Sequence, residues 1–94
     1  MNQLVTTVTD KRRELRRATH GAVMVRLENP QPFAIHGRLV EVSDQGFRMA
    51  HECRSLEVGQ VVDFSHSEAV GKARVMWNRI TAARVESGFL IVRT

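Results

Sequence analysis

Residues 33–51 read FAIHGRLVEVSDQGFRMAH, and this stretch decides the fold. In its first ten residues, Phe33, Ile35, Gly37 and Leu39 share one face at every second position, which is typical of a strand that buries one face. The SDQG sequence at 43–46 favours a tight turn, in which we expect Gly46 to supply a positive φ. The FRMAH sequence that follows predicts a returning strand, so the whole stretch predicts a β-hairpin.

Short strand patterns continue on both sides of this hairpin, separated by proline and glycine turns. Period-two alternation of apolar residues predicts further strands at 22–27, 61–65, 71–78 and 88–92. In the strand at 71–78 we expect Trp77 to belong to the core, and we expect 81–87 to be a polar connection. Six short strands with almost no amphipathic helix predict a mainly all-β fold, a six-stranded antiparallel β-barrel. Closing the sheet removes edges that a small chain could not otherwise cover.

The composition predicts one small soluble domain. The chain has 94 residues, 43% of them hydrophobic and 26% charged, which leaves room for one modest core and argues against disorder. We expect residues 1–10 to be a polar lead-in and 11–94 to form the single domain. The chain shows no apolar run long enough to cross a bilayer and no signal-peptide pattern, and Cys53 is its one cysteine. A cytoplasmic location is the simplest expectation.

The charge of the chain is concentrated near its N-terminus. Residues 11–17 read KRRELRR and hold five of the 14 Lys and Arg residues. This run carries a charge of +4, which equals the charge of the whole chain, so the remaining residues balance. A local excess of this kind predicts a binding site for an anion. Residues 10–19 are compatible with a short helix capped by Thr9 or Asp10, and equally with an extended segment.

Two motifs flank the first predicted strand, and together they resemble those of a known family. The first is an RxxxR motif from Arg13 to Arg17, preceded by Arg12, and the second is EVSDQG at 41–46. The chain is similar to the PilZ domain, a bacterial receptor module for cyclic di-GMP with RxxxR and Asp/Asn-x-Ser-x-x-Gly motifs. The resemblance extends over about residues 12–92, through IHG at 35–37, LEVG at 56–59, VMW at 75–77 and GF at 88–89.

The resemblance implies a role for the two motifs in binding cyclic di-GMP. Arginine suits this ligand because its planar fork bonds phosphate oxygens or the O6/N7 edge of guanine. In the family, an arginine before RxxxR accompanies binding of a stacked ligand dimer, and the serine contacts phosphate. The residues that the resemblance assigns to the ligand are Arg12, Arg13, Arg17, Glu41, Ser43 and Gly46.

The chain departs from the family pattern at two places. Glu41 stands where the family has Asp or Asn, so the carboxylate is kept on a side chain that is one methylene longer. Asp44 offers a substitute carboxylate, although strand alternation does not place it in the same role. Many family members carry a helix after the barrel, whereas this chain is expected to have little or none, because it reaches Thr94 just past the last predicted strand.

These observations lead to one main expectation about function and two alternatives. We expect a cytoplasmic receptor of bacterial second-messenger signalling, in which cyclic di-GMP orders the arginine segment onto the barrel and a downstream protein reads the change. No catalytic arrangement or metal-ligand set stands out, so we expect a non-enzyme without cofactor or metal. The first alternative is a degenerate PilZ adaptor that binds protein without nucleotide. The second, disfavoured by the few aromatic residues, is a small basic nucleic-acid-binding barrel. The sequence leaves a homodimer open.

Overall fold

The computed structural model describes residues 17–29 and 31–93, and this part of the chain is all β. It contains no helix, and therefore none with the length and apolarity that a membrane crossing requires. Arg12 and Arg13 lie outside the described residues. The described strands are β1 (Arg17–Ala18), β2 (Ala22–Leu27), β3 (Phe33–Val42), β4 (Gly46–His51), β5 (Val61–His66), β6 (Ala69–Ile80) and β7 (Val85–Ile91).

Six of these strands close into a barrel. Their order around the barrel is β3-β2-β5-β6-β7-β4, and β4 pairs back to β3, with every neighbouring pair antiparallel. The short β1 is not part of the closed barrel. It pairs with the end of β3, where Arg17 lies opposite Val42. The predicted six-stranded antiparallel barrel is confirmed, with β1 as an added strand.

The inward-facing residues of all six barrel strands form one apolar core. Leu39, Met49 and Val75 are fully buried near its centre, and the rings of Phe47 and Phe89 stack with centroids 4.6 Å apart. Each aliphatic side chain of this size stabilises the fold by about 1.5–3 kcal/mol when it leaves water. The other buried members of the cluster are Val23, Val25, Ile35, Val42, Leu56, Val62, Phe64 and Ala73.

Strand boundaries agree with the sequence where alternation is regular and differ where it is not. β2 and β3 begin and end where the alternation predicts. β7 begins at Val85, so the predicted polar connection at 81–87 is wrong in its second half. Val85 and Ser87 are buried, whereas Glu86 between them is less buried, so inward and outward residues do alternate. The sequence hides this alternation because one of the inward residues, Ser87, is polar. Arg17–Ala18 is a strand, so the helical alternative for 10–19 does not hold at these residues.

Gly46 is needed for a reason other than the predicted one. Positive φ angles in the described chain belong to Gly21 and Gly59, so the prediction of a positive φ at Gly46 is wrong. A β-carbon placed on Gly46 would lie 2.0 Å from the carbonyl oxygen of Phe89. Since β4 and β7 approach this closely where the hairpin turn ends, the position has room only for a hydrogen.

A β-bulge in β6 reverses the expected direction of Trp77. Val75 pairs with Phe89 and Trp77 with Gly88, so the intervening Met76 has no partner of its own. The extra residue shifts the alternation by one position. As a result Trp77 is 39% exposed on the outer face, and the prediction that it belongs to the core is wrong.

A buried chain of hydrogen bonds ties the strands together at the His51 end of β4. The Cys53 N–H donates to Nδ1 of His51 at 3.1 Å, which leaves the ring proton on Nε2. Nε2 lies 2.7 Å from Oγ of Ser87, and this hydroxyl donates to Oδ1 of Asn78 at 2.5 Å. The Asn78 amide then donates to the Leu56 carbonyl at 2.8 Å. Burial lowers the pKa of His51, which keeps the ring neutral.

Candidate functional site

The two predicted motifs meet at one end of the barrel. Because β1 runs antiparallel to β3, Arg17 lies opposite Val42 and Ala18 lies opposite Glu41. The hairpin turn follows directly, with Ser43 at its start and Gly46 at its close. The structure therefore brings four of the six predicted site residues together, and the other two, Arg12 and Arg13, lie outside the described residues.

Ser43 is the residue that organises the hairpin turn. Its N–H donates to the Gly46 carbonyl at 2.9 Å, which closes the turn. Its Oγ accepts hydrogen bonds from the N–H groups of Gln45 at 3.2 Å and Gly46 at 3.3 Å. These contacts fix the hydroxyl at the rim of the barrel, between two surface depressions that share Ser43 as a lining residue.

The first depression contains Arg17, whose guanidinium already has an anionic partner. Arg17 forms a two-pronged ion pair with the carboxylate of Glu68, which lies in the turn between β5 and β6. The hydrogen bond and charge of Glu68 raise the pKa of Arg17, and the same hydrogen bond lowers the pKa of Glu68. Both side chains remain exposed to water, so the pair is weak and exchangeable.

Aromatic and basic groups complete this depression, which has a volume of about 390 Å³. His66 lies 5.3 Å from the ring of Phe47, centroid to centroid, and burial lowers its pKa in spite of the nearby Glu68 carboxylate. The guanidinium of Arg93 donates to the Asp44 carbonyl and so fastens the chain after β7 to the hairpin turn. Arg17 and Arg93 both line this depression, which therefore suits an anionic group.

The second depression is a groove of about 210 Å³ on the other side of Ser43. Glu41 and Arg48 face each other across the hairpin, with Oε1 of Glu41 3.8 Å from Nη2 of Arg48. Nε of Arg48 is buried, and no described residue accepts a hydrogen bond from it. The groove therefore has a carboxylate acceptor and guanidinium donors on one wall.

Trp77 also lines the groove. Its indole lies flat against the backbone of Gly88, where a β-carbon would come within 2.2 Å of Nε1. Trp77 is 39% exposed, and Met76 and Leu90, which are exposed as well, line the same groove. A rigid aromatic face beside hydrogen-bonding groups can stack a planar heterocycle and bond its edge.

Arg48, Trp77 and Glu68 are among the residues of this site that were not predicted from the sequence. Arg48 could have been predicted, because a hairpin closed at 43–46 places residue 48 opposite residue 41. Trp77 was misassigned because the bulge at Met76 has no clear signal in the sequence. Glu68 lies 51 positions from Arg17, and only the closed barrel brings the two together.

The described residues contain no cluster suited to a metal ion. No group of three or more His, Cys, Asp or Glu side chains converges in this part of the chain. Both ring nitrogens of His51 are occupied by hydrogen bonds. The described side chains of the two depressions offer charged groups, hydrogen-bonding groups and the ring of Trp77.

No protein-family model matches the chain, and no curated protein matches it either.

Proposed function

We propose that this protein is a receptor for cyclic di-GMP, which binds across the two depressions on either side of Ser43. The observation that carries the proposal is the meeting of Arg17, Ser43 and Trp77 at one end of the barrel. The ligand has two phosphates and two guanines, so it needs cationic donors and flat stacking surfaces side by side. The two depressions offer these in adjacent positions.

The phosphates fit the Arg17 depression. A phosphate oxygen would compete with the Glu68 carboxylate for the same guanidinium fork, and Arg93 adds positive charge to the same depression. Arg12 and Arg13, a few residues before β1 in the sequence, would add further phosphate or guanine contacts. Binding would hold the arginine segment against the hairpin turn, and a downstream protein would read the altered surface.

A guanine fits the groove. The open face of Trp77 would stack on the base, a contact worth about 1–3 kcal/mol. The Glu41 carboxylate is an acceptor for the guanine N1–H and exocyclic amine, and the Arg48 guanidinium is a donor for its O6/N7 edge. The groove is too small to enclose a whole dinucleotide, so the ligand would lie across the surface rather than inside a cavity.

Isothermal titration with cyclic di-GMP tests the proposal, with GTP, cyclic di-AMP and duplex DNA as competitors. Arg17→Ala and Trp77→Ala should each lower affinity at least about tenfold, or about 1.4 kcal/mol. Arg26→Ala is the matched control, because it removes the same charge from an exposed ion pair with Glu28 that lies outside both depressions. Equal affinity for DNA, or equal effects of all three variants, would contradict the proposal.

A second candidate is an adaptor that binds a protein partner without nucleotide. Two ion pairs within the chain favour it, since Arg17 pairs with Glu68 and Glu41 faces Arg48. These charged groups already have partners without a nucleotide. The exposed Met76, Trp77 and Leu90 would then serve as a protein contact. Under this candidate the wild-type chain binds no cyclic di-GMP, and Glu41→Asp restores binding by returning the residue that the family pattern has.

A further inference from the structure

Exposed apolar side chains lie next to one another on the outer face of β5, β6 and β7. Val61 on β5 pairs with Arg74 on β6, and Arg74 pairs with Leu90 on β7, so the three residues form one row across the sheet. Ala73 and Phe89 beside them are buried, which places Arg74 and Leu90 on the outside of the barrel. Val61 is 46% exposed and Leu90 is 42% exposed. Exposed apolar residues that adjoin one another mark interaction surfaces, whereas isolated ones are ordinary.

Two more exposed apolar residues extend this row. Met76 follows Arg74 on the same strand, beside the bulge, and is 46% exposed. Val58 is 62% exposed, and its loop lies against β6, since the Gly59 N–H donates to the Val75 carbonyl at 2.8 Å. We call the four apolar residues around Arg74 the apolar strip, and they are Val58, Val61, Met76 and Leu90.

Arg74 lies within the apolar strip and has no carboxylate partner in the described chain. Its guanidinium donates to the Gly59 carbonyl at 3.2 Å, and no described Asp or Glu forms an ion pair with it. By contrast, Lys72 on the same strand pairs with Asp63 at 2.7 Å. A guanidinium has five N–H donors, so Arg74 can still donate to an acceptor from outside. Apolar neighbours strengthen such a contact, because they exclude the water that would screen it.

We propose that the apolar strip binds a partner protein through a segment that carries a carboxylate between apolar side chains. The carboxylate pairs with Arg74, and the apolar side chains cover Val61, Met76 and Leu90. Methionine and arginine are both enriched at protein interfaces. At Arg74, β6 has β5 on one side and β7 on the other, so the strip is a sheet face and not an edge. The partner therefore docks through side chains, as an amphipathic helix does.

The charge of the apolar strip favours this acidic partner over a second copy of the chain. A two-fold dimer centred on the strip would bring the Arg74 guanidiniums of the two copies toward each other. Each chain also carries a net charge of +4, so like charges oppose the association. The strip shares Met76 and Leu90 with the groove, so the test is made without nucleotide and its outcome does not depend on the proposed binding of cyclic di-GMP.

Selection from a random peptide library tests the proposal. Phage that display peptides of about 16 residues, enough for about four helical turns, are selected on the immobilised wild-type chain. We expect enrichment of peptides in which Asp or Glu is flanked by apolar residues. Synthetic copies of the enriched peptides, titrated by fluorescence polarisation, should bind with dissociation constants on the order of 10–100 µM.

Two variants of the apolar strip and two matched controls locate the bound peptide. Arg74→Glu reverses the central charge and Val61→Lys adds a charge beside it, and each should raise the dissociation constant at least about tenfold. Arg26→Glu is the control for charge, because Arg26 is exposed on β2 outside the strip. Val70→Lys is the control for the apolar residue, because Val70 is 67% exposed on β6 but pairs with Ser65. Circular dichroism checks that each variant keeps the barrel.

An exchange of charges gives a result that a loss of folding cannot imitate. A peptide with Lys in place of its carboxylate residue should bind Arg74→Glu more tightly than it binds the wild-type chain. The proposal is overturned if no peptide is enriched over the bare support, if the enriched peptides lack a carboxylate, or if they bind Arg74→Glu and Val61→Lys as tightly as wild type. A dimer in sedimentation velocity that Val61→Lys abolishes overturns it too, because a second copy then occupies the strip.

Discussion

The two ends of β4 are built from opposite kinds of polar group. At the His51 end, the ring, Ser87 and Asn78 are neutral, mostly buried and joined in a single chain of hydrogen bonds. At the Gly46 end, Arg17 and Glu68 are charged, exposed and joined by an ion pair that water screens.

This contrast separates the stabilising end of the barrel from the end where we propose recognition. A buried neutral chain is costly to break, because each freed group loses a hydrogen bond and stays out of water. An exposed ion pair contributes about 0–1 kcal/mol and exchanges readily with other ions. The proposed binding of a ligand at the Gly46 end would therefore exchange exposed contacts there and leave intact the hydrogen bonds of the network at the His51 end.

The largest expected effect is that of Gly46→Ala, which tests whether the close packing of β4 against β7 stabilises the Gly46 end of the barrel. The added methyl group would meet the Phe89 carbonyl, so β7 must shift away from β4. We expect a loss of about 3 kcal/mol in the free energy of unfolding, measured by urea titration. Gly71→Ala is the control, since its β-carbon would lie 3.5 Å from Phe64, an ordinary contact. Equal stability of the two variants would contradict the packing role of Gly46.

The next effect is that of Ser87→Ala, which breaks the hydrogen-bond chain at its centre. The variant leaves Nε2 of His51 and Oδ1 of Asn78 without their shared partner. We expect a loss of about 1–3 kcal/mol in the free energy of unfolding. Ser65→Ala, on the exposed face of β5, should change stability by less than about 0.5 kcal/mol. A Ser87 variant as stable as the Ser65 variant would show that the chain contributes nothing.

Mild acid should weaken the His51 end. Burial lowers the pKa of His51 below its ordinary value of 6.5 in the folded protein, so below that pH the unfolded chain binds more protons. Stability is therefore full above about pH 6.5 and falls as the pH drops toward the folded pKa, by at most about 1.4 kcal/mol per pH unit. Urea titrations at about pH 7.5 and about pH 5.5 measure this difference.

His66 needs a separate control in that experiment, because burial lowers its pKa too. Its partial exposure and the nearby Glu68 should make its contribution smaller than that of His51. We expect His51→Gln to flatten the pH dependence more than His66→Gln does. If His66→Gln flattened the pH dependence more, the group responsible for the loss of stability in acid would be His66, at the Gly46 end of the barrel. Glu68 and Glu86, with lowered pKa values, titrate below this window.

The smallest expected effect is that of Glu68→Gln on ligand affinity. The neutral amide holds Arg17 less strongly, so cyclic di-GMP no longer competes with a carboxylate for the guanidinium. We expect affinity to rise by about two- to fivefold, in line with the modest energy of exposed ion pairs. Glu86→Gln, which breaks ion pairs to Arg79 and Arg84 instead, should leave affinity unchanged. Weaker binding by the Glu68 variant would mean that the carboxylate positions Arg17 for the ligand.

The sequence predicts the regular part of this fold because the information there is local. Regular alternation between turn residues is enough to place β2 and β3 at their observed bounds. The hairpin register then follows and places Glu41, Ser43 and Gly46 around one turn, whereas the association of Arg17 with this turn was expected from the motif resemblance alone. The sequence therefore accounts for the part of the candidate site that is formed by the hairpin turn.

The remaining features depend on contacts between distant parts of the chain. The bulge at Met76 arises where β6 meets β7, and it turns Trp77 into the groove. The requirement for glycine at position 46 comes from the Phe89 carbonyl, 43 positions away. The Arg17–Glu68 pair likewise needs the closed barrel. Such features cannot be obtained from the periodicity of a single segment.

The outward position of Trp77 also gives the protein an optical property. The chain contains one tryptophan and no tyrosine, so its near-ultraviolet emission arises almost wholly from this indole. Because the ring is already part-exposed when the barrel is folded, unfolding should change the emission little. A nucleobase stacked on the ring should quench it strongly. The native chain is thus a label-free fluorescent reporter of its own groove and a poor one of its own folding.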